Sequence, residues 1–235
     1  MVVTAGLPRQ PGMSREELVK KNAAIVWETC VQIAKFSPNS VLIMVTNPVD
    51  AMVHVAANAS SFPKHRVMGM AGILDSTRFR TFIALELGVS VEDTNALVLG
   101  GHGDFMVPLP RHASVGGIPI TDLLSEDRIK ALMERTRTGG AEILALKKVS
   151  SAYYAPAAAI EQMVEAVVKD KKRVLPCVAY LQGEYGINGI FMGVPVIIGR
   201  SGVERILELK LNPAELEAIR RSADAVRTLV AQLSL

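Results

Sequence analysis

The chain has 235 residues, of which 49% are hydrophobic and 21% charged, and its 26 Lys and Arg exceed its 23 Asp and Glu by only three. A chain of this length can bury about 70% or more of its unfolded surface, so a globular, soluble fold of one large domain or two small ones needs neither disulfide nor metal. Basic residues scattered among nearly as many acidic ones argue against a nucleic-acid partner, although the pI of 8.9 leans basic.

Cys30 and Cys177 give neither a disulfide framework nor a metal-ligand spacing, so no metal is expected and a reducing cytoplasm is the default compartment. No membrane partner is expected either. The charge-free run 185–199 is shorter than the ~18 residues a membrane helix needs and is broken by Gly186, Gly189, Gly193 and Pro195. The first six residues carry neither the basic nor the long apolar region of a signal peptide, so the chain reads as entering directly on a strand.

In chain order, 2–4, 41–45 and 67–70 are short, almost wholly apolar runs, the pattern of strands buried on both faces of a parallel sheet. Between them, Ser14 with Glu17 forms a capping box for a helix reaching about Phe36, and Asn47-Pro48 supplies a cap and a first-position proline for a second helix. Strand, helix, strand, helix, strand is a doubly wound α/β order, in which ligands sit at the carboxyl ends of the strands, here Ala5-Gly6 and Thr46-Asn47. From Asp75 the pattern changes to a helix stopped by Gly88, short strands at 96–99 and 105–109, a long helix at 126–148, strands at 174–181 and 194–198, and a terminal helix capped by Asn212-Pro213. The expected architecture is therefore α/β: the C-terminal half of a doubly wound parallel sheet over residues 1–73, then a mixed α+β domain over residues 74–235. The dense basic run Lys169-Asp170-Lys171-Lys172-Arg173 reads as a solvated helix end.

Chemistry concentrates in Gly100-Gly101-His102-Gly103-Asp104, where glycines on both sides of an imidazole let a small molecule approach closely. Asp75 and Arg78, three residues apart, project from one helix face. If that face meets the glycine turn, a base, a carboxylate to orient it and a guanidinium to hold an anion come together. Arg9 and Arg15 lie in the loop after the first strand, where a glycine- and proline-containing lid would be expected to close over an anion. His54, His65 and His112 have no partner motif and read as structural or surface residues, and Trp27 as packing.

Thr4-Ala5-Gly6-Leu7-Pro8-Arg9, Val45-Thr46-Asn47-Pro48-Val49-Asp50, Leu74-Asp75-Ser76-Thr77-Arg78-Phe79-Arg80 and the His102 turn look like one family's motifs in that family's order. Jointly they are specific. Over essentially its whole length the chain resembles malate dehydrogenases of the type that share their fold with lactate dehydrogenase. The resemblance implies an NAD-dependent oxidoreductase of the tricarboxylic acid cycle, interconverting malate and oxaloacetate as a homo-dimer or homo-tetramer. It implies that His102 takes the hydroxyl proton, that Asp75 holds the imidazole, that Arg78 pairs with the carboxylate beside the reacting carbon, and that Arg15 polarises the carbonyl oxygen. Asn47 would bond both substrate and cofactor, with Asn22, Val45 and Thr46 as further cofactor contacts. Arg9 would hold the second carboxylate, where lactate dehydrogenases carry glutamine, and Ala152 resembles a small residue on the pocket wall, though a packed helix alanine is an equal reading.

The sequence departs from the family in one respect. No G-x-G-x-x-G follows a strand and no acidic residue stands where one would grip the adenine ribose, a shortfall of roughly 60–80 residues, or two βαβ units. Cofactor binding weaker than in longer relatives is therefore expected, with the strands at Val2 and Val41 lacking neighbours and NAD against NADP undecided. The alternatives are a lactate or other 2-hydroxyacid dehydrogenase, and a non-catalytic chain that associates with longer partners.

Overall fold

The computed structural model describes residues 1–8, 15–147 and 152–233. The chain opens with β1 (Val2–Val3), α1 (Arg15–Phe36), β2 (Leu42–Met44), α2 (Val49–Ser60), β3 (Val67–Gly69) and α3 (Gly72–Leu87). Next come β4 (Thr94–Asn95), β5 (Val98–Leu99), β6 (Val107–Pro108), β7 (Ser114–Val115), β8 (Ile118–Pro119) and the short α4 (Ile120–Leu123). The remainder is α5 (Glu126–Lys147), α6 (Tyr154–Val168), β9 (Arg173–Gln182), β10 (Asn188–Gly199), β11 (Gly202–Ile206) and α7 (Pro213–Val230).

Of the apolar runs predicted as strands, β2 and β3 are buried on both faces, whereas in β1 Val3 is buried and Val2 is exposed. Side chains alternate across a strand. Leu42, Met44 and Val67 accordingly pack with Val19 and Val26 of α1 and Val53 of α2, while Ile43 and Met68 pack on the opposite side with Met163 of α6 and Ile219 of α7. β1, β2 and β3 pair in parallel, as their order predicts. The six-stranded sheet runs β1-β2-β3-β9-β10-β11, so β1 is an edge but β2 keeps a neighbour on each side, contrary to the expectation for the strand at Val41.

β9 joins β3 antiparallel at a single register pair, Gly69 with Val178. A Cβ on Gly69 would stand 2.7 Å from Val53 and 3.0 Å from Val178, so only glycine lets helix and strand close on it from both sides. The sheet therefore continues past residue 73 into the second part of the chain. Pro176 and Pro195 face each other in the β9–β10 ladder.

α3 begins at Gly72 rather than Asp75 and ends, as predicted, at Gly88 in the left-handed region (φ 68°). Asn47-Pro48 departs from the sequence reading. Pro48 follows a cis peptide bond and is itself the N-cap of α2, whose side-chain cap is missing, while Asn47 Oδ1 accepts from the Val49 amide at 3.3 Å. At the other end of the chain, Asn212 caps α7 as predicted, and Glu215 completes a capping box that the sequence reading did not name. Ser14, proposed to cap α1, lies outside the described residues. Lys169, Lys171 and Lys172 pair with Glu165, Asp170 and Glu204, as befits a solvated helix end. Cys30 and Cys177 are free and buried. Trp27 is 43% exposed on α1 and is not a core residue. Among the described residues no helix is long and apolar enough to cross a membrane, and no group of three His, Cys, Asp or Glu is placed to hold a metal.

Candidate active site

The motif Asp75-Ser76-Thr77-Arg78-Phe79-Arg80 does most of the assembly from one helix. Ser76 Oγ accepts from the Val98 amide at 2.9 Å, fixing β5, the strand that feeds the glycine turn. Arg80 donates to the Thr94 and Val91 carbonyls and ties down the approach to β4. Phe79 is buried beneath these contacts with Ile83, Val98 and Ile129. Thr77 Oγ1 donates to the Ile73 carbonyl one turn back, and the remaining two residues of the motif, Asp75 and Arg78, lie beside His102.

The turn itself is clamped. Gly100 exchanges main-chain hydrogen bonds with Gly193 of β10, and its φ of 87° is a conformation that suits glycine. The Gly101 amide donates to Ser222 Oγ of α7 at 2.8 Å, and the His102 amide donates to Asp50 Oδ2 of α2 at 2.7 Å. Three elements far apart in sequence thereby fix where the imidazole leaves the main chain.

His102 Nδ1 lies 2.8 Å from Asp75 Oδ2, and Arg78 Nη1 donates to Asp75 Oδ1 at 3.0 Å. Asp75 is 2% exposed, so both carboxylate oxygens are spent on these two partners out of reach of bulk water. A carboxylate only accepts, so the proton of neutral His102 sits on Nδ1 and Nε2 is left with its lone pair. The Asp75 charge holds the imidazole above the usual histidine range, with Asp50 adding to the effect while burial and the Arg78 guanidinium oppose it. Against Arg78 lie Gly139 and Gly140 of α5, where Cβ atoms would stand 3.4 and 3.6 Å from the Arg78 side chain. The remaining donors of Arg78 take no partner among the described residues.

Asn47 is exposed three residues before Asp50, so the bond from Asp50 to the His102 amide brings the start of α2 to the same turn. Asn22 is 1% exposed. Its amide donates to the Leu7 and Asn47 carbonyls and its Oδ1 accepts from the Leu7 amide, so its polar atoms are committed to those two residues. Thr46 Oγ1 donates to the Ala5 carbonyl, and the Val45 amide donates to Val3, joining the carboxyl ends of β1 and β2. A Cβ on Gly6 would collide with Thr46 Cγ2. Main chain, an exposed carboxamide and a glycine-lined approach at paired strand ends match the flat, polar edge of a nicotinamide; the given sequence holds no G-x-G-x-x-G to take a pyrophosphate.

Arg9 lies outside the described residues. Arg15 is the first residue of α1, and its side chain also lies outside them. Ala152 is half-buried just ahead of α6, outside any helix. The other histidines bear out a structural reading at His54, whose Nε2 accepts from the Phe191 amide at 3.0 Å and whose pKa burial lowers to about 4. Sequence reasoning missed Asp50, Ser222, Gly193 and the Gly139-Gly140 pair. Asp50 left one signal, a carboxylate inside the apolar run Val49-Asp50-Ala51-Met52-Val53.

Residues 1–69 match the family described as lactate/malate dehydrogenase, NAD binding domain, and residues 73–233 match lactate/malate dehydrogenase, alpha/beta C-terminal domain. A malate dehydrogenase from Roseiflexus castenholzii is 56% identical over 233 residues, covering 99% of this chain and 75% of that protein. One from Chlorobium phaeobacteroides is 58% identical over 227 residues, covering 97% and 73%. Among solved structures, the apo malate dehydrogenase of Picrophilus torridus superposes with a TM-score of 0.95 at 51% identity, covering 98% of this chain and 72% of that one. A lactate dehydrogenase from Cryptosporidium parvum, solved with lactic acid and NAD, reaches 0.94 at 44% identity, covering 99% and 75%. From the His102–Asp75–Arg78 constellation to the pairing of two domain matches with these likenesses, the observations agree: the chain belongs to the lactate/malate dehydrogenase family.

Proposed function

We propose that this chain is an NAD-dependent malate dehydrogenase that interconverts (S)-malate and oxaloacetate, with His102 as its acid–base group. The observation that carries the reading is the 2.8 Å contact of His102 Nδ1 with a buried carboxylate whose other oxygen holds a guanidinium.

Neutral His102 presents Nε2 to a substrate hydroxyl and becomes imidazolium as it takes the proton, and Asp75 stabilises that charge. In the reverse direction the imidazolium returns the proton to the carbonyl oxygen. Arg78, with donors left beyond Asp75, pairs with the carboxylate next to the reacting carbon, and Asn47 donates to the substrate from the α2 side. Arg15 supports the oxygen where negative charge develops, and Arg9 supplies the counter-charge for a second carboxylate, whose loss on burial would cost about 2–5 kcal/mol. When bound, NAD accepts the hydride released from the hydroxyl-bearing carbon. Asn47, with the Val45-Thr46 main chain, would hold its nicotinamide end, and Asn22 fixes the carbonyl side of Asn47.

The division is read at residues 1–73 and 74–235, with the proposed cofactor contacts in the first part and Asp75, Arg78 and His102 in the second. Cytoplasmic location, a place in the tricarboxylic acid cycle and assembly as a homo-dimer or homo-tetramer complete the reading. Exposed Trp27 and Val31, one turn apart on α1, and Leu85 on α3 support self-association, which native mass measurement tests.

His102→Asn should cut turnover by a factor of about 10²–10⁴ with folding kept. Turnover that survives the change sinks the assignment. Preference for pyruvate over oxaloacetate would instead favour lactate dehydrogenase.

A further inference from the structure

Asp50 is not among the residues that touch substrate or cofactor in the proposed reaction, yet it is 3% exposed, and one of its oxygens, Oδ1, has no hydrogen-bond partner among the described residues. Its other oxygen holds the main-chain amide of His102. A buried carboxylate with half its accepting capacity unspent is destabilising, and an asparagine could hold the same amide without the charge. The charge therefore serves something other than folding.

Its surroundings indicate what. Among the described residues, the charged groups facing His102 are Asp75 and Arg78 from α3 and Asp50 from α2; β10 and α7 contribute Gly193 and Ser222, which are uncharged. Arg78 sits on the oxygen of Asp75 that His102 does not use, offsetting part of the Asp75 charge. Among the described residues no cation pairs with Asp50, so its charge is left to act on the imidazole. We propose that Asp50 is a positioning residue for His102: its carboxylate anchors the main chain of the base and, as a second buried anion beside Asp75, favours the imidazolium form. This rests on the reading of His102 as the acid–base group.

The test follows the His102 ring directly by imidazole ¹H–¹⁵N spectra of the full chain across pH, with the resonance assigned by its loss in His102→Asn. Asp50→Asn keeps an acceptor for the His102 amide and removes the charge. It should move the His102 titration downward while protection of the His102 amide against hydrogen exchange is retained. Asp50→Ala removes both, so amide protection is lost as well, and kcat for oxaloacetate falls by about ten- to a hundredfold, the scale set by a misplacement on the order of 1 Å. An unmoved His102 titration in Asp50→Asn overturns the proposal, whether or not the Ala variant folds. Parent-like kcat in a folded Asp50→Ala overturns it too. Full turnover by His102→Asn would instead overturn the reading of the site itself, so the two failures are distinct.

Discussion

Replacing Asp50 by Asn should make the protein more stable at neutral pH and leave it nearly unchanged in acid. Burial, the largest influence, raises the Asp50 pKa from 3.8 to about 6, against the pull of His102 and its amide. An acid whose folded pKa lies above its unfolded value binds more protons folded than unfolded between the two, so stability falls as pH rises through that window. Fully ionised, Asp50 costs the folded state about 3 kcal/mol, from 1.36 kcal/mol for each unit between 3.8 and 6. Most of the window is accessible to measurement. At pH 4.5 about 1 kcal/mol of the cost is already present and at pH 8 all of it, so the advantage of the variant should widen by about 2 kcal/mol between those pH values.

Urea unfolding of parent and variant at both pH values reads this as a difference of differences, from which pH effects common to both proteins cancel. Thermal scans at pH 8 should show the variant melting about 6–12 °C higher, at roughly 2–4 °C per kcal/mol for a chain of this size. A stability gap of the same size at pH 4.5 and pH 8 refutes the reasoning, because it would mean that Asp50 ionises alike in the folded and unfolded chain.

With His102 as the proposed acid–base group, the rate of oxaloacetate reduction should hold constant and then fall as pH passes the raised His102 pKa, while malate oxidation rises through the same point; initial rates in both directions test it. Asp75→Asn should move that turning point downward, since the largest influence raising it is gone. Arg78→Lys replaces a planar fork by a point charge and should raise KM for oxaloacetate by about 10–100-fold, the worth of a charged hydrogen bond, measured by steady-state kinetics. Gly100→Ala places a methyl 2.6 Å from Ser222 Oγ at a φ of 87°, and calorimetry should find it destabilised by about 1–3 kcal/mol or more.

Much of this arrangement is legible in sequence because its causes are local. Apolar runs too short for helices announce β1, β2 and β3, and the Asn212-Pro213 cap announces α7. Asp75, Arg78 and His102 are found because residue types and glycine placement restrict what they can do. The partners that hold them are not. Asp50 reaches His102 across 52 residues and Ser222 reaches Gly101 across 121, and neither spacing has a periodicity to detect. β11 fails for a related reason: Gly202-Val203-Glu204-Arg205-Ile206 lacks the apolar run of a buried strand, since it pairs only with β10 at the sheet edge. Asn47-Pro48 misleads because its residue types fit a helix cap, whereas the Asn47 carbonyl is claimed by Asn22 and its side chain folds onto Val49.

The sharing of Asp75 between an imidazole and a guanidinium has a consequence for how binding and proton transfer are joined. Arg78 lowers the affinity of His102 for a proton, while Asp75 and Asp50 raise it. In the proposed reading a substrate carboxylate pairs with Arg78, which screens the opposing charge and sets one more negative group near the ring. The base thus gains proton affinity at the moment substrate arrives, without any residue moving. For oxaloacetate reduction this retains the proton to be delivered. For malate oxidation it stabilises the charge that the ring acquires. The same coupling separates two measurable quantities: kcat/KM follows the ionisation of free His102 and kcat that of the complex, so the turning point in kcat lies above the one in kcat/KM. If the two coincide, substrate charge does not reach the ring, and Arg78 cannot be the group that receives the carboxylate.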